Sequence, residues 1–78
     1  MSEIRVENVI RLPNKKPVEV GIMAGNVLLS FAIVNGRVKL ISKSKPEARV
    51  YDSAQLDVPK NLFAQACRRA AEILYSQP

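Results

Sequence analysis

The run Val27-Leu28-Leu29-Ser30-Phe31-Ala32-Ile33-Val34-Asn35-Gly36-Arg37-Val38-Lys39-Leu40-Ile41 decides the fold. Asn-Gly between two apolar runs is the strongest short-range hairpin signal, because both central residues of a type I′ turn need positive φ. A turn at Asn35-Gly36 sets Val34 opposite Arg37, Ile33 opposite Val38, Phe31 opposite Leu40 and Leu29 opposite Ser42. Side chains alternate along a strand, so Val27, Leu29, Phe31, Ile33, Val38 and Leu40 share one side. Leu28, Ser30, Ala32, Val34, Arg37, Lys39, Ile41, Lys43 and Lys45 share the other.

A third strand extends this pair. Val18-Glu19-Val20-Gly21-Ile22 alternates, and Ala24-Gly25 makes a turn into Val27. With Ile22 opposite Val27, Val20 meets Leu29 and Val18 meets Phe31, all on the apolar side. Two independent turns thus give one face assignment, and such agreement between levels is what a folding sequence shows. Residues 18–45 therefore read as a β-meander.

Residues 4–12 start as an alternating strand with Ile4 and Val6 on one face, and the alternation breaks at Val9-Ile10, where a bulge or an ending fits. The segment 1–17 is thus an edge strand or an arm, followed by a loop at Pro13-Asn14-Lys15-Lys16-Pro17. Beyond Lys45 comes a polar break, then Arg49-Val50-Tyr51 as a short strand and Asp52-Ser53 as turn formers. Asp57 is placed to cap a helix with Pro59 in its first turn. That helix spans 59–75, with Leu62, Phe63, Ala66, Cys67, Ala70, Ile73 and Leu74 at spacings of three and four. One apolar stripe and one apolar sheet face cover each other. The expected fold is α+β: an antiparallel meander of three to four strands packed on one C-terminal helix, in two layers, as a single domain over 1–78.

Composition sets the function classes. Twelve Lys and Arg stand against seven Asp and Glu, for a formal charge of +5 and a pI of about 9.8. The excess is local, because Arg37, Lys39, Lys43, Lys45 and Arg49 face only Glu47 within residues 37–49. Cations at alternate strand positions, about 7 Å apart, with small Ser30 and Ala32 alongside, form a lattice that can follow phosphates. The same lysines also serve as a solvated surface that blunts edge pairing. Aromatic stacking among the cations is missing from this reading, with Tyr51 and Tyr75 the rings free to supply it.

Catalytic chemistry is sparse. The chain has no His, and its one cysteine, Cys67, falls on the apolar helix stripe between Phe63 and Ala70. No Cys or His set supports zinc, and the glycines at 21, 25 and 36 precede no helix start. No metal and no cofactor are expected. A lone cysteine, the lack of a long apolar stretch and the charged start Glu3-Arg5-Glu7 point to a cytoplasmic protein.

A curved meander with a helix at its C-terminus looks like the coactivator-type and Whirly-type single-stranded DNA binders. Leu56-Asp57-Val58-Pro59-Lys60-Asn61-Leu62 is similar to the strand-to-helix junction of ribbon-helix-helix repressors, a family that needs a second helix, which the residues up to Pro78 do not supply. The leading expectation is a small non-enzymatic module that binds nucleic acid, DNA or RNA, through a basic sheet face made by Arg37, Lys39, Lys43, Lys45 and Arg49. The alternative is a protein-interaction module, a homodimer or a domain docking on an acidic protein.

Overall fold

The computed structural model describes residues 3–51, 53 and 55–76. Four strands, β1 (Ile4–Arg11), β2 (Pro17–Ala24), β3 (Val27–Val34) and β4 (Arg37–Ser44), form one antiparallel sheet in the order β1-β2-β3-β4. A short 3-10 turn (Pro46–Ala48) follows β4, and helix α1 (Lys60–Leu74) packs across one face. The expected α+β meander on a C-terminal helix is the architecture found, with residues 4–11 as a full fourth strand.

The turn at Asn35-Gly36 forms as its residue types dictate, with φ of 53° and 78°. Val34 pairs with Arg37, Ile33 with Val38 and Phe31 with Leu40. Below that point the expected ladder is corrected. A bulge at Ile41 puts Ser42 opposite Ser30 and Lys43 opposite Leu29. The extra residue shifts everything after it to the other face, because side-chain direction has a period of two.

The β2–β3 register is corrected as well, with a milder result. The turn is Gly25-Asn26, with Gly25 at φ 65°, so Ala24 pairs with Val27, Ile22 with Leu29 and Val20 with Phe31. This differs by two residues from the expected register, and a slip of two preserves every face. On β1 the bulge falls at Glu7 rather than at Val9-Ile10, with a second irregularity where Ile10 and Arg11 meet Glu19 and Pro17. The Glu7 bulge returns Val9 to the same side as Val6, opposite Val20.

The core lies between sheet and helix. Val20, Ile22, Leu29 and Phe31 are sealed from solvent, joined by Ala24, Val27 and the helix stripe Leu62, Ala66, Ala70 and Leu74. Burial of these side chains supplies most of the driving force, about 1.5–3 kcal/mol for each large one. Ala66 and Ala70 are both fully buried. Two methyl groups in the middle of the stripe let the helix backbone approach the sheet closely, and its contacts concentrate on β2. Phe63, Cys67 and Ile73 flank the stripe half-buried. The Phe31 and Phe63 rings meet tilted, with centroids 6.2 Å apart.

The helix start is another correction. Pro59, in extended backbone, occupies the cap position, and its carbonyl accepts from the Phe63 amide at 3.0 Å. Asp57 is exposed and does not cap the helix. Proline's fixed φ suits a helix entrance, and the first turn is entered with no side-chain cap. At the far end the Tyr75 hydroxyl donates to the Gly36 carbonyl at 2.9 Å, which ties the helix end to the β3–β4 turn.

Candidate nucleic-acid interface

The sheet leaves one face without a helix. Its lattice follows from the pairings, with rows Arg5–Met23–Leu28–Ser44, Asn8–Gly21–Ser30–Ser42 and Ile10–Glu19–Ala32–Lys39, and Val34 beside Arg37 at the end. The middle row carries only short side chains. A Cβ at Gly21 would run into Asn8 Oδ1, so the Asn8 side chain uses the space that the glycine leaves open. Asn8 therefore lies flat across the β2 backbone.

The expected basic face is only partly assembled. Arg37 and Lys39 do share the open face and are exposed. Lys43 does not join them, because the Ile41 bulge places it on the helix side with Leu29. Lys45 lies just past the strand and makes a two-way bridge with Val50: its amide donates to the Val50 carbonyl at 2.7 Å, and its carbonyl accepts from the Val50 amide at 3.1 Å. Arg49 occupies the left-handed position that closes this loop, with φ 57°. The expected strand at residues 49–51 is this single bridge, followed by Ser53, whose amide donates to the Lys43 carbonyl at 2.9 Å. Asp52 lies outside the described residues.

All five cations nevertheless remain on one side of the molecule. β4 is the outermost strand, so a residue moved from one of its faces to the other stays at the same rim. Arg37 and Lys39 mark one end of this rim, and Lys43, Lys45 and Arg49 the other. Along the strand Lys39 and Lys43 stand about 13 Å apart at the usual rise per residue. The five cations thus form a basic edge rather than a basic face.

The topology also supplies what the sequence lacked. Tyr75 stands against Gly36, the neighbour of Arg37, and remains 51% exposed. Tyr51 directly follows Val50, the partner of Lys45, and is 67% exposed. Each cluster of cations therefore has a solvent-facing ring beside it. Sequence spacing hides the first of these placements, since Tyr75 lies 39 residues from Gly36, whereas Tyr51 stands two residues after Arg49 in the chain.

A second basic group lies at the Arg37 end. In an antiparallel meander the first and third turns share one end of the sheet, here the loop carrying Lys15 and Lys16 and the turn before Arg37. The loop is well bonded, with Leu12 and Lys16 paired at 2.9 Å and Arg11 Nη1 donating to the Lys15 carbonyl at 2.9 Å. Two strand spacings, about 10 Å, separate it from the turn.

Among the described residues no group of three or more His, Cys, Asp or Glu is placed to hold a metal, and no helix is long and apolar enough to cross a membrane. Cys67 is half-buried against the core, and burial pushes its thiol above the ordinary value. A thiol that ionises less readily when folded reacts slowly, since the thiolate is the nucleophile. Alkylation at neutral pH is expected to be slower in the native protein than in denaturant. The sign for stability follows: the unfolded thiol ionises first, so this contribution is lost as pH rises past the ordinary thiol range. Native and denatured alkylation rates measured against pH check both statements. Comparison with models of known protein families, with curated proteins and with solved structures finds no match for this chain.

Proposed function

We propose that this domain is a small non-enzymatic module that binds nucleic acid along the β4 rim. Arg37, Lys39, Lys43, Lys45 and Arg49 supply phosphate contacts, and Lys15 and Lys16 extend the surface at one end. The observation that carries this reading is the placement of an exposed tyrosine beside each cation cluster, Tyr75 near Arg37 and Tyr51 near Lys45. Cations alone describe a solvated edge. Cations with adjoining rings describe a surface that can hold phosphates and stack bases, the combination single-strand binders use.

The test is anisotropy with labelled single-stranded DNA, duplex DNA and RNA over a range of salt. Each phosphate contact releases counterions, so affinity falls with salt at a slope of about −0.7 per contact for a single strand. Arg37→Ala with Lys39→Ala is expected to flatten that slope by about 1.4. Tyr51→Ala is expected to weaken single-strand binding about tenfold with the slope unchanged, because stacking contributes about 1–3 kcal/mol per base. Both variants change exposed positions, so circular dichroism should match the parent. Binding that ignores salt, or its absence at low salt, sinks the reading.

A further inference from the structure

The open face holds a cavity of about 390 Å³ lined by Arg5, Glu7, Asn8, Met23, Leu28, Pro46 and Glu47. Met23 and Leu28 are paired neighbours in the sheet and make its apolar floor. β1 gives one wall, where Arg5 Nε donates to Glu7 Oε1 at 3.0 Å, and the 3-10 turn gives another through Pro46 and Glu47. Its size lies at the lower end of the range for small-ligand sites.

The chemistry of the lining selects a class of ligand. A flat apolar floor suits the face of a ring. Glu47 and the Asn8 amide oxygen accept hydrogen bonds at the margin, so the ring should carry N–H donors. Two carboxylates against one guanidinium, already paired with Glu7, disfavour an anion inside the cavity. Yet Pro46 and Glu47 are bracketed in the chain by Lys45 and Arg49, two of the rim cations. A nucleotide matches that division, with an uncharged amine-bearing base and a charged phosphate a few ångströms away.

We propose that this cavity takes one unpaired nucleobase bearing an exocyclic amine, with the adjoining phosphates on Lys45 and Arg49. The inference rests on the reading of the β4 rim as a nucleic-acid surface and adds a preference to it. A duplex buries the base face in its stack and its amine in pairing, so the site favours single strands. Adenine and cytosine are favoured over thymine, which lacks the amine.

The two methionines of the chain are Met1 and Met23, so methyl-13C methionine labelling gives a sparse spectrum with a reporter in the cavity floor. The full chain is titrated with single-stranded oligo-dA, oligo-dT and an abasic deoxyribose-phosphate oligomer, and anisotropy follows binding in parallel. Oligo-dA is expected to move the Met23 methyl upfield through the ring current, whereas the abasic oligomer binds without moving it. Glu47→Ala, an exposed position, should weaken oligo-dA about tenfold, the scale of a hydrogen bond to a charged group, and leave the abasic oligomer unchanged. Salt-sensitive binding of oligo-dA with an unmoved Met23 methyl overturns the base site and leaves the rim standing. No binding of any oligomer at low salt overturns both.

Discussion

Phe31→Ala is expected to cost about 3–5 kcal/mol, the range for emptying a buried aromatic site. Domains hold about 5–15 kcal/mol in total, so the variant loses a large share of its stability and should unfold at a much lower denaturant concentration. The size of the effect comes from where the ring sits. Phe31 is 1% exposed, pairs across the sheet with Val20 and Leu40, and meets Phe63 from the helix. It therefore joins both layers and three of the four strands. Its neighbours are held by the ladder and cannot collapse into the space. Urea denaturation gives the measurement, with the midpoint falling and the slope unchanged. A loss below about 1 kcal/mol would mean that the ring is not the centre of the core.

The second large effect is an overfilling. Ala66→Leu with Ala70→Leu inserts two isobutyl groups where the helix comes closest to the sheet. Each overpacked position costs about 1–3 kcal/mol. The two lie one helical turn apart on the same stripe, so their costs are coupled and their sum is only a guide. The helix should lift from β2, and its amides should lose protection from hydrogen exchange before those of β2 and β3. Ala64→Leu on the exposed side serves as the control and should change little. Equal stability for the double variant and the control would contradict the close approach.

Local chemistry made much of the architecture readable. Asn35-Gly36 carries its own turn geometry, and the ladder above Phe31 follows from it without further information. The helix stripe is equally local, and all four of its buried residues belong to the spacing-derived set. The Gly25-Asn26 turn was placed one residue early, at Ala24-Gly25, which slips the register by two, an error that parity forgives. The bulge at Ile41 was only faintly marked. Leu40-Ile41 breaks the alternation as Val9-Ile10 does, but two adjacent apolar residues do not fix which of them goes unpaired, and the backbone decides it. The loss of Asp57 as a cap has a similar origin, because the backbone at Pro59 rather than side-chain type decides that position. The candidate site divides in the same way. Its cations were legible as a charge cluster and Tyr51 as a ring near Arg49, while the arrangement as an edge and the position of Tyr75 beside Gly36 depend on contacts between distant residues.

The bulges have a consequence for how this chain can vary in length. Both outer strands carry one, at Glu7 in β1 and Ile41 in β4, whereas β2 and β3 pair with each other in unbroken register. Removing Ile41 would leave Leu40 opposite Phe31 and Ser42 opposite Ser30, with Lys43 still opposite Leu29. The ladder would simply become regular. A lost residue at that point is absorbed where it falls and is not passed down the strand. Elsewhere in β4 the same deletion would send every later side chain to the opposite face. Relatives of this protein can therefore differ by one residue at either outer strand and still inherit the same core and the same charged edge.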